Sequence, residues 1–117
     1  MKPETPNDLP AKVWDAMQFH YGESNRISRE VLVHNLFGMF TDSHDRQVRD
    51  AIASLVTNDH RPIVATSDGA GYFVARTLHE ADHAIAELDS RIGALQARKR
   101  GIIAGLTGGN AGQGTLL

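Results

Sequence analysis

The 117 residues include no cysteine. Disulfides and thiolate chemistry are therefore excluded, and a reducing, cytoplasmic setting is the expectation. No apolar run approaches the roughly 20 residues of a membrane-spanning helix. The opening residues, Met1-Lys2-Pro3-Glu4-Thr5-Pro6-Asn7-Asp8, lack the apolar core of a signal peptide. An excess of positive charge is missing too: the formal net charge is −2. Residues 1–75 hold seven Lys/Arg against ten Asp/Glu, a net of −3, and residues 76–117 hold five against four, a net of +1. Non-specific DNA affinity comes mainly from phosphate neutralisation. Any such surface here is a local cluster on an acidic domain, with weak, salt-sensitive binding expected unless dimerisation doubles the contacts. No nucleophile–base pair and no cofactor fingerprint stand out, so a non-enzymatic chain without a cofactor is expected. What remains is an ordinary globular composition, 41% hydrophobic and 22% charged, in a chain long enough for one small domain with an appendage.

Residues 1–8 are polar, carry two prolines and are expected to be disordered. The domain itself is expected over residues 9–76. Asp8 or Pro10 opens a first helix to about His20, with Val13, Trp14, Met17 and Tyr21 on its apolar face and Gly22 ending it. After the polar loop Glu23-Ser24-Asn25-Arg26, Ile27 makes a minimal strand contact. Ser28 is a good N-cap for a second helix with Glu30 in its first turn. Val31, Leu32, Asn35 and Leu36 turn over this helix, which ends before Gly38. Phe37, Met39 and Phe40 are expected in the core, and Thr41-Asp42-Ser43 offers caps for a third helix.

That third helix has the clearest period. At 100° per residue, Val48, Ala51, Ile52 and Leu55 share one side, with His44 near its edge. Ser43, Arg46, Asp50 and Ala53 lie opposite, flanked by Gln47, Arg49 and Ser54. The helical pattern passes through Asn58-Asp59-His60. Residues 61–66 and 71–75 are short apolar runs on either side of Ser67-Asp68-Gly69-Ala70-Gly71, which is a hairpin signal. Gly69-Ala70-Gly71 is a turn: it is too short for a phosphate loop and does not lead into a helix. Helix, strand, tight glycine turn and strand make up the second half of a winged helix.

On Asp45-Arg46-Gln47-Val48-Arg49-Asp50-Ala51-Ile52, Pro62-Ile63, Gly71-Tyr72-Phe73 and Ser90-Arg91, the chain resembles winged-helix (winged helix-turn-helix) DNA-binding proteins of bacteria and bacteriophages. The likeness covers residues 9–106 and is with proteins associated with replication or transcription control. It implies a mainly α, α+β fold: a winged helix with a small β-hairpin wing and a long C-terminal helix. In such domains the third helix enters the major groove and the wing touches backbone or minor groove. Carried over by position, Ser43, Arg46, Gln47 and Asp50 lie near bases of double-stranded DNA, and Arg29, Arg49 or Arg61 near phosphates. Arg and Gln are the types that read guanine and adenine edges bidentately. The plain alternative is intrahelical pairing, of Arg46 with Asp42 or Asp50 and of Arg49 with Asp45. Two departures weigh against DNA. Asp42, Asp45 and Asp50 crowd the reading helix, and the wing has no Lys or Arg. An acidic winged helix that docks another protein fits the same wing.

Thr77-Leu78-His79-Glu80 reads as a capping box and opens a helix over residues 77–106. Leu78, Ala81, Ile85, Leu88, Ile92 and Leu95 recur at alternating three- and four-residue steps, interrupted at Lys99 and resumed at Ile102. This heptad seam suits a homodimer interface, or packing back on its own domain. His79-Glu80-Ala81-Asp82-His83 matches His-Glu-x-x-His, which places two zinc-binding His one turn apart in metalloproteases. Here Glu80 serves the capping box, both His lie off the seam, and only Glu87 offers itself as a third ligand, so no metal site is expected. His20, His34, His44 and His60 have no metal spacing. Arg98-Lys99-Arg100 suits a helix C-terminus. In residues 107–117 four of eleven are Gly, and a flexible tail is expected. Gln113-Gly114-Thr115-Leu116-Leu117 resembles the Gln-x-x-Leu-Leu/Phe peptide with which bacterial proteins dock on the replication sliding clamp. The likeness implies Gln113, Leu116 and Leu117 as clamp contacts, although Gly114 stands where the peptide is usually apolar.

Overall fold

The computed structural model describes residues 8–108. The clamp-like residues Gln113, Leu116 and Leu117 lie outside the described residues. In chain order the elements are α1 (Asp8–Met17), a 3-10 turn (Glu23–Asn25), β1 (Ile27–Ser28), α2 (Arg29–Phe37), α3 (Asp42–Asp59), β2 (Ile63–Ala65), β3 (Gly71–Val74) and α4 (Leu78–Leu106). The fold is the mainly helical α+β arrangement that the sequence implies, with a three-stranded antiparallel sheet of order β1-β3-β2 and a long C-terminal helix. The chain divides into two compact units between Ala84 and Ile85, inside α4. No helix among the described residues is long and apolar enough to cross a membrane.

The helix starts follow from side-chain caps that satisfy otherwise orphaned N–H groups. The Ser28 hydroxyl accepts from the Val31 N–H at 3.1 Å and starts α2. The Thr41 hydroxyl accepts from the His44 N–H at 3.0 Å and starts α3. Gly38 closes α2 in the left-handed region at φ 80°, where glycine escapes the Cβ penalty. His60 closes α3 at φ 57° without that freedom.

The core forms where α1, α2 and the sheet meet α3. Val13 and Met17 of α1, Leu32 and Val33 of α2, and Val48, Ala51, Ile52 and Leu55 of α3 are buried with Ile27, Ile63, Tyr72 and Val74. Complete burial of a Val, Leu or Met side chain contributes about 1.5–3 kcal/mol, and Met17, Leu32, Val13, Val33, Val48 and Val74 are fully buried. Side chains alternate across a strand. Tyr72 and Val74 of β3 face this core, while Phe73, with Ala75 just beyond the strand, packs on Ala81 of α4 and the half-buried Val64.

Three expectations need correction. First, α1 ends at Met17 and not near His20. Tyr21 is therefore past the helix, bridged to Val74, with its hydroxyl donating to the Gln18 Oε1 at 3.0 Å. Second, the buried face of α2 is Leu32, Val33, Leu36 and Phe37, and Val31 is exposed. Leu32 with Leu36 and Val33 with Phe37 are apolar pairs one turn apart, whereas the residue one turn after Val31 is the polar Asn35. Third, Met39 and Phe40 are exposed, in the short connection between Gly38, which closes α2, and Thr41, which caps α3.

In the sheet, Ile63 pairs with Val74, Val64 with Phe73 and Ala65 with Tyr72, while Ile27 and Ser28 pair with Tyr72 and Gly71 on the other edge of β3. Gly71 permits that second pairing: a Cβ there would collide with the Ile27 carbonyl oxygen. The α4 capping box is offset by one residue. Glu80 N–H donates to the Thr77 hydroxyl at 3.2 Å, but the Glu80 carboxylate accepts from the Arg76 N–H at 2.6 Å and pairs with its guanidinium at 2.8 Å.

Candidate functional site

Helix α3 is anchored by its apolar side and leaves Ser43, Arg46, Gln47, Arg49, Asp50 and Ala53 exposed, as the helical period requires. The Gln47 amide donates to the Ser43 hydroxyl at 3.4 Å, one turn away. Arg46 has no hydrogen-bond or ion-pair partner among the described residues, so the pairing with Asp42 or Asp50 is not made.

The other arginines singled out from the sequence are engaged within the fold. Asp45 is buried, its side chain 11% exposed, with Arg29 Nε at 3.2 Å and Arg49 Nε at 3.3 Å. The Arg29 pair joins the first residue of α2 to α3. It is a charge contact without hydrogen-bond alignment, since neither Arg29 Nε nor Asp45 Oδ1 has a hydrogen-bond partner. Arg29 also donates to the Gly69 carbonyl of the wing turn at 3.5 Å. The Tyr72 phenol lies in this region: burial pushes its pKa up, Asp45 pushes the same way, and Arg29 and Arg49 oppose. Arg61 lies over the Trp14 ring, 4.6 Å from its centroid, in a cation–π contact. His44 stacks on Phe37 with centroids 4.1 Å apart.

Of the three aspartates expected to crowd the reading helix, Asp45 thus points inward between two guanidinium groups. Its position carried a signal: Asp45, Val48, Ile52 and Leu55 follow three- and four-residue steps, so the carboxylate lies on the buried stripe. The Arg29–Asp45 and Arg61–Trp14 contacts join residues distant in sequence and had no local signal.

The wing closes on itself. Asp68 accepts from the Thr66 hydroxyl and from the Ala70 N–H, and the Thr66 hydroxyl accepts from the Gly71 N–H at 3.1 Å. The Thr66 hydroxyl, followed by the Ala70 N–H, holds the Asp68 carboxyl below its ordinary range. The turn residues themselves therefore present an ionised carboxylate and no Lys or Arg, with the Arg29 guanidinium alongside at the Gly69 carbonyl.

The His-Glu-x-x-His stretch is committed elsewhere. Glu80 is held below the ordinary glutamate range by its hydrogen bond from the Arg76 side chain. His79 Nδ1 lies 3.3 Å from Asp82, and His79 and His83 are exposed. Among the described residues no group of three His, Asp or Glu is placed to hold a metal ion. On α4, Ala81 is buried, and Leu78, Ile85, Leu88, Ile92, Leu95 and Ile102 are exposed.

No protein-family model, no curated protein and no solved structure matches this chain.

Proposed function

We propose that this chain is a non-enzymatic, double-stranded DNA-binding protein of the winged helix-turn-helix type, which presents α3 to the major groove. The carrying observation is Arg46: it is exposed on the outward face of α3 and has no hydrogen-bond or ion-pair partner among the described residues. An α-helix fits the major groove, and a free arginine there can pair bidentately with guanine. Gln47, Ser43 and Asp50 share that face and would flank the contact. Asp45 offsets one of the two charges of Arg29 and Arg49, and Arg61 keeps its charge over Trp14, so these three partly exposed arginines leave a modest net positive charge for phosphate. The footprint is accordingly poor in phosphate contacts.

The test is fluorescence anisotropy of a labelled random-sequence duplex, repeated across salt concentrations. With one to three phosphate contacts per chain, the slope of log K against log salt is expected at about −1 to −3. Arg46→Ala should weaken binding by about tenfold or more, since a good bidentate pair contributes about 1–3 kcal/mol. No binding at low salt overturns the DNA reading. A second reading, docking of another protein on the same domain, is favoured by the ionised wing tip and the engaged arginines. Unchanged DNA affinity in Arg46→Ala would move the assignment there.

A further inference from the structure

We propose that residues 85–106 of α4 form a parallel, two-stranded coiled coil with a second copy of this chain. Continuing the heptad register places Ile85, Ile92, Lys99 and Leu106 at a positions and Leu88, Leu95 and Ile102 at d positions. The six apolar members are 42–70% exposed. Gly93, Gly101 and Gly105 lower the intrinsic helicity of this stretch, yet it is helical to Leu106. Helices of this kind take most of their stability from packing of an apolar face.

Two observations select a second copy in parallel. Ile at a with Leu at d, the combination that favours two parallel strands, holds for Ile85 with Leu88 and Ile92 with Leu95, whereas Ile102 at d and Leu106 at a depart from it; the single Lys99 at an a position is a register device. Charge favours the same orientation on balance: parallel pairing brings Lys99 against Lys99 of the other copy at one layer, compared with two Arg–Arg contacts in the antiparallel pair. In parallel, Arg91 at a g position meets Gln96 at the e position of the other copy, and Ala84 meets Asp89. Antiparallel pairing over the same seam sets Arg91 of one copy against Arg98 of the other, twice. The area is at the small end for a pair of copies. About 1.5–3 kcal/mol for complete burial at about 25 cal/mol per Å² corresponds to roughly 60–120 Å² per Leu or Ile. Half of that at each seam side chain of two copies is roughly 360–720 Å², short of the about 1,000 Å² of a stable interface, so the association is weak and concentration-dependent. Lys99 extends its stem along the seam with its ammonium in water. The assignment stands on α4 alone, whether α3 meets DNA or protein.

Sedimentation equilibrium of the full chain, from low micromolar to several hundred micromolar, reads the assembly. The expected result is a reversible shift from 12.7 kDa to twice that mass. Leu88→Glu with Leu95→Glu should weaken association at least a hundredfold while the far-UV circular dichroism of the 8–84 unit persists. A monomer at every concentration, or a trimer or tetramer, overturns the proposal. Orientation is read by oxidative cross-linking, which is simple in a chain without native cysteine. Ile85→Cys alone should cross-link in a parallel pair. Cross-linking only when Ile85→Cys is mixed with Ile102→Cys would establish the antiparallel pair and overturn the assignment.

Discussion

Replacing Asp45 with asparagine removes one negative charge from beneath α3 and keeps the side-chain shape. Both guanidinium partners are partly solvated, with Arg29 and Arg49 side chains 41% and 56% exposed. They rehydrate when the carboxylate is lost, so the cost falls well short of the about 3–5 kcal/mol for breaking a fully buried pair. Exposed pairs contribute about 0.2–1 kcal/mol each. With the carboxylate itself buried, both pairs lie at the upper end of that range, and the summed loss is about 1–2 kcal/mol. A domain of this size loses about 4–8 °C per kcal/mol, so Tm should fall by about 4–16 °C in thermal denaturation followed by circular dichroism. The same substitution frees two cations beside the outward face of α3. In the proposed DNA complex, each one that reaches a phosphate steepens the log K against log salt slope by about 0.9. The variant should therefore be less stable and bind DNA more tightly at low salt. An unchanged Tm would refute the structural role assigned to the pairs. A lower Tm with an unchanged salt slope would refute the claim that Asp45 withholds Arg29 and Arg49 from phosphate.

Four further substitutions test other parts of the fold. Gly71→Ala drives a methyl into the Ile27 carbonyl and should cost about 1–3 kcal/mol or more in urea titration, with β1 pairing lost first. Thr41→Ala removes the α3 N-cap and should cost about 1 kcal/mol by the same measurement, whereas Thr41→Ser should restore most of it. His60→Gly relieves a left-handed non-glycine residue and should raise stability by about 1 kcal/mol. Glu80→Gln should flatten the acid limb of a Tm against pH profile. Because folding depresses the Glu80 pKa, its contribution is present above the ordinary glutamate value and fades as pH falls below it, so wild type and variant should converge in acid.

Much of this fold was legible because its longest buried helix carries a clean period. Val48, Ala51, Ile52 and Leu55 define one face over the 18 residues of α3, and a face repeated that often tolerates little ambiguity. Ser28 was legible, and Thr41 was narrowed to one of three neighbouring candidates, because a cap is a local bond made three residues along the chain. Helix α2 was harder. Its nine residues hold five apolar side chains, Val31, Leu32, Val33, Leu36 and Phe37, that nearly encircle it, and only packing against α3 decides which of them is left outside. The arginines are the sharper case. Sequence alone places Arg29, Arg49 and Arg61 as available cations, but availability depends on the partner, and for Arg29 and Arg61 the partner comes from another element. Asp45 was readable from its spacing, yet a carboxylate on an apolar stripe is readily assigned to the surface because burial normally excludes it. In the structure two arginines permit that burial.

The strand order bears on how this protein behaves when crowded. Strand β3, whose residues are all buried, is flanked on both sides, so the sheet turns outward only β1 and β2, of two and three residues. Open backbone edges of that length give an incoming strand too few N–H and C=O groups to nucleate a shared sheet. Concentrated solutions of the folded protein should stay free of thioflavin-binding fibres, and the chain can tolerate high local abundance without recruiting its neighbours through the backbone.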